Sequence, residues 1–70
     1  MVEYTDEELL DAIRLKMHQD TEYRKQMADA VDTKFSDRLL HLIAEAAKWF
    51  FGNVNVVTGT VEYILSILLS

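Results

Sequence analysis

The stretch Ser36–Phe51 reads SDRLLHLIAEAAKWFF, and its spacing settles the fold class. Leu39, Leu42, Ile43, Ala46 and Phe50 recur at the helical period, and Leu40, Ala44, Ala47 and Phe51 make an adjoining stripe. Only Asp37, Arg38, His41, Glu45 and Lys48 remain for a narrow polar strip. A helix apolar over that much of its girth is buried on more than one side, so this segment is the expected central helix, 36–51. Ser36 is placed to cap it, with Phe35 and Leu40 as a hydrophobic staple. Gly52-Asn53 supplies the stop.

Working towards the N-terminus, two amphipathic helices are expected to cover one side of it. Thr5 and Glu8 have capping-box spacing, with Tyr4 and Leu9 at the staple positions. Asp6, Glu7 and Glu8 place negative charge at the positive end of the helix dipole. Leu9, Leu10, Ile13 and Met17 then share a stripe, predicting a helix over 6–18, with Leu15 off the stripe. A second helix begins after Asp20 or Thr21, with Tyr23, Met27, Ala30 and Val31 on its inner face. It ends near Asp32–Thr33, where short polar side chains compete for backbone groups.

Working towards the C-terminus, the pattern from Val54 to Ser70 admits more than one reading. A helix would align Val57, Val61, Ile64, Leu65 and Leu68 on one side, and Val56, Thr60, Tyr63 and Ile67 on another. Between Val54 and Val61, however, six of eight residues are β-branched, and Thr58-Gly59 could turn a hairpin. A lone hairpin is marginal in water, so helix is favoured; an irregular start followed by a short helix from Thr60 is the third possibility. The expectation is an all-α, four-helix module forming a single domain, 1–70. The closing apolar run, with no polar tail, suggests the N-terminal part of something longer.

Composition narrows the function classes. The 70 residues are half apolar, contain no proline or cysteine and only two glycines, and carry a net charge of −5. Nine acids and five bases lie in the charged half, 1–35, whereas 36–70 holds only Asp37, Arg38, Glu45, Lys48 and Glu62. An acidic chain without a basic patch argues against nucleic-acid binding. The absence of cysteine excludes disulfides and thiolate metal sites. It also fits a reducing compartment, and the acidic N-terminus lacks a signal-peptide pattern; the expected location is the cytoplasm.

Chemistry is hard to find. His41 and Glu45 have the i, i+4 spacing of metal ligands, but zinc needs three or four and the other histidine, His18, is on helix 1. The plainer reading is a solvated strip with Glu45 paired to Lys48. Asp6, Glu7, Glu8 and Asp11 are explained by helix-start preference and a wet face, without acid–base catalysis. There is no phosphate-binding glycine loop and no nucleophile signature. The expectation is a non-enzymatic protein without cofactor or metal.

The greasy half instead suggests contact. A chain this short buries only about 60% of the surface it exposes when unfolded. Without disulfides or metal, association is the remaining support. Trp49, Phe50 and Phe51 cannot all face one core, because successive helical residues point about 100° apart. The expected contact residues are Trp49, Phe51, Val57, Val61, Ile64, Ile67 and Leu68, with Leu15 as an outlier, in a self-associating or adaptor-type protein-interaction module. Two alternatives stand beside this. One is a small membrane-associated protein using 49–69, long enough to span but interrupted by Glu62 and lacking flanking bases. The other is a β-forming assembly segment, 54–63.

Overall fold

A computed structural model describes residues 4–33, 36–52 and 55–70, apart from the side chain of Ser36. It contains α1 (Asp6–Gln19), α2 (Thr21–Thr33), α3 (Ser36–Phe51) and α4 (Thr58–Leu69), and no strand among the described residues. The all-α, four-helix expectation is met.

α1 starts as its sequence dictates. The Glu8 amide donates to Thr5 Oγ1 at 3.1 Å and the Thr5 amide donates to Glu8 Oε1 at 2.9 Å, a complete capping box. Of the two candidate caps for α2, Asp20 does the work: its Oδ1 accepts from the Tyr23 amide at 3.0 Å. At the other end of α2, the Thr33 hydroxyl donates to the carbonyls of Asp29 and Ala30, at 3.0 and 3.2 Å. That is the competition for backbone groups expected of short polar side chains. α3 ends where glycine allows it to, since Gly52 takes a φ of 85°, the left-handed conformation that closes many helices. The Ser36 cap, the Phe35–Leu40 staple and the Asn53 part of the stop lie outside the described positions or side chains.

α3 is the axis, packing against α1, α2 and α4, and the other three helices also touch one another. Leu39, Leu42, Ile43, Ala46 and Ala47 of α3 are each at most 1% exposed. Around them close Leu9, Leu10 and Ile13 of α1, Tyr23, Met27 and Ala30 of α2, and Val61 and Ile64 of α4. Phe50, grouped with the inner stripe by its spacing, is only half-buried.

In the last segment the favoured helix is present. It begins at Thr58, after an irregular start, and Thr58-Gly59 opens it instead of turning a hairpin. Its N-cap is Val57, which offers no side-chain hydrogen bond. The first turn is held from outside, by the Thr60 hydroxyl donating to Asp6 Oδ1 at 2.9 Å. Residues 55–57 are non-helical, so 49–69 is not one continuous helix. No helix among the described residues is long and apolar enough to cross a membrane.

Candidate interaction surface

Val61 and Ile64, expected at a contact surface, are 3% and 0% exposed and belong to the protein's own core. The reason is geometric: α4 lies across α3 while also touching α1 and α2, so its Val61–Ile64 edge is consumed in closing the bundle. Phe51, Ile67 and Leu68 are half-buried against that core. Trp49 at 52%, Val57 at 61% and Leu15 at 43% remain exposed.

Trp49 packs beside a buried charged side chain. Lys16 is 5% exposed, because Leu9, Ile13 and Lys16 lie at i, i+4 and i+7 on the inner stripe of α1. Its aliphatic stem is buried while its ammonium reaches polar partners at the edge of the packing. Lys16 Nζ lies 3.7 Å from Asp20 Oδ2 and 3.5 Å from Glu45 Oε1. It also stands 4.9 Å from the centre of the Trp49 ring and 5.0 Å from that of Tyr23, within cation–π range. Glu45 therefore pairs across to α1, correcting its assignment to a helix-surface pair with Lys48. The Tyr23 hydroxyl donates to the Leu42 carbonyl at 2.8 Å in a buried setting. Burial first, then the charges of Glu45 and Asp20, push the Tyr23 phenol well above its ordinary range. This cluster ties α1, α2 and α3 together and fixes one face of Trp49.

Among the described residues, apolar hollows open on two parts of the surface. The first lies between α1 and α3, has a volume of about 280 Å³ and is lined by Ala12, Leu15, Phe50 and Phe51 with Glu8 and Asp11. Trp49 adjoins it, in edge-on contact with Phe50 at 4.5 Å and 79°, and Tyr4 stacks on Phe51 at 4.1 Å. The second, of about 300 Å³, is lined by Met17, Met27, Ala28, Val31, Leu68 and Leu69, with Asp32 as its one charged residue. The structure thus brings Leu15 and Phe51 together, with Trp49 beside them, and places Leu68 at the second hollow.

Phe50, Met17, Ala28, Val31 and Leu69 line these hollows although none of them is among the expected contact residues. Met17 and Val31 sit on predicted inner stripes, and their position near helix ends, where the stripes run out of core, was the available signal. Among the described residues no three His, Asp or Glu side chains are grouped to hold a metal ion, and no buried side-chain nitrogen or oxygen lacks a hydrogen-bond partner. No protein-family model matches the chain, and comparison with curated proteins and with solved structures returns no match.

Proposed function

We propose that the protein is a non-enzymatic interaction module that self-associates through the hollow at the ends of α1, α2 and α4. The observation that carries this reading is apolar surface left over after the bundle has closed: Leu69 is still 50% exposed, beside Met17, Met27, Ala28, Val31 and Leu68. Copies each carrying −5 repel one another, and a mutual contact is favoured where charge is sparse. This hollow has a single acid, Asp32. A stable interface of ordinary size takes roughly 800 Å² from each partner. Against the 4662 Å² the chain exposes, that is about a sixth of its surface. The absence of cysteine suits a reducing, cytoplasmic setting.

The test is light scattering on the full chain and on a double variant, Ala28→Glu with Leu69→Glu. Both positions are exposed, so the fold should tolerate the changes. The unmodified chain is expected to gain mass with concentration and the variant to stay at 8.1 kDa. Equal association by both would remove this face from the proposal.

A further inference from the structure

The hollow between α1 and α3 differs from the other in its rim. Its floor is Ala12, Leu15, Phe50 and Phe51, and Glu8 and Asp11 stand along it. Glu8 Oε1 is engaged by the Thr5 amide. Asp11 lies 3.9 Å from the Arg14 guanidinium, with 79% of its side chain still exposed, a loose surface pair of the kind that contributes little. Of the nearby bases, Lys16 is spent inside the Asp20–Glu45 cluster. The volume, about 280 Å³, falls just below the roughly 300–1,000 Å³ range of small-molecule sites, suited to an inserted side chain.

We propose that this hollow receives an apolar side chain of a cationic amphipathic segment from another protein, with Lys or Arg of that segment beside Glu8 and Asp11. The proposal rests on reading the protein as an interaction module and names the partner's chemistry. Complementary charge selects partners and speeds encounter more than it adds affinity. A second copy of this chain, at −5, is a poor occupant for an acid-rimmed site. A cationic segment with an apolar stripe meets both floor and rim.

Trp49 is the sole tryptophan and contacts Phe50 of the floor, so its emission reports occupation. The probes are two short helical peptides without aromatic residues, one built of Leu and Lys, the other of Leu and Glu on the same pattern. They are titrated into the full chain. The Leu/Lys peptide should shift the emission saturably, and the Leu/Glu peptide should not. The double variant Glu8→Gln with Asp11→Asn should weaken binding about tenfold, since glutamine still serves in a capping box. The double variant Glu22→Gln with Asp29→Asn, which changes net charge equally on the exposed face of α2, should change it less than about twofold. Equal weakening by both pairs would reduce the effect to net charge and overturn the proposal. Binding of both peptides, of neither, or undiminished binding by the Glu8–Asp11 variant would also overturn it. A chain that stays monomeric in light scattering yet meets these expectations refutes self-association and leaves this site standing.

Discussion

α1 and α4 are similar in length, 14 and 12 residues, and both feed the core, yet they are specified differently. α1 has a complete capping box, three acids in its first turn and a wet outer face. Its sequence alone favours a helix there. α4 has a valine at its N-cap, no charge in its first or last turn, and a start fastened by Asp6 of α1. Isolated helices of this length are marginal in water, so α4 owes its shape to the core it lies on. Local rules place one helix, and burial places the other.

The strongest way to break that contrast is at Ile64, which is 0% exposed. Ile64→Ala should cost about 2–5 kcal/mol, a large share of what a domain this small possesses. In a chemical denaturation followed by circular dichroism, the midpoint should collapse or cooperativity vanish. A cost below about 1 kcal/mol would mean that α4 is an accessory to a three-helix core.

Lys16→Ala comes next, at about 2 kcal/mol, because it removes a buried stem and two ring contacts. Lys16→Met should recover much of that loss, since the stem does most of the packing. Equal losses for the two variants would assign the effect to charge.

Tyr23→Phe removes the buried hydroxyl that donates to the Leu42 carbonyl, at about 1–2 kcal/mol. It also has a pH signature. Below pH about 10 the phenol keeps its proton in both folded and unfolded chains. Above that the unfolded chain releases the proton while the folded one holds it, so stability falls as pH rises. Thermal melts between neutral and strongly alkaline pH should show this fall in the unmodified protein and a smaller one in Tyr23→Phe.

The smallest effect sharpens the contrast instead of breaking it. Val57 is 61% exposed and extended at the head of α4. Val57→Ser supplies the missing cap and should stabilise the protein by about 0.5–1 kcal/mol, read as a raised denaturation midpoint. Thr5→Ala at the corresponding position of α1 should move it the opposite way by a similar amount.

Legibility follows the same division. The bounds of α3 and the start of α1 were readable because their signals are local: a capping box, a dense apolar stripe, a glycine stop. The start of α4 was not, because Val57 carries no cap and the tie to Asp6 joins residues 54 apart. Val61 and Ile64 looked like outer contacts because sequence spacing gives a face but not what covers it. Lys16 is a base whose spacing from Leu9 and Ile13 puts it on the inner stripe, a signal the list of apolar residues passes over. Its partners Glu45 and Trp49 are on another helix. The exposure of Leu15 was legible, since it lies off its helix's inner stripe.

We propose that the apolar surface left exposed when this bundle closes is covered by a second copy, and sedimentation equilibrium of the unmodified chain, from low to high micromolar concentration in ordinary buffer, decides it. A mass climbing above 8.1 kDa towards a defined multiple is the result predicted. A single 8.1 kDa species at every concentration would contradict it.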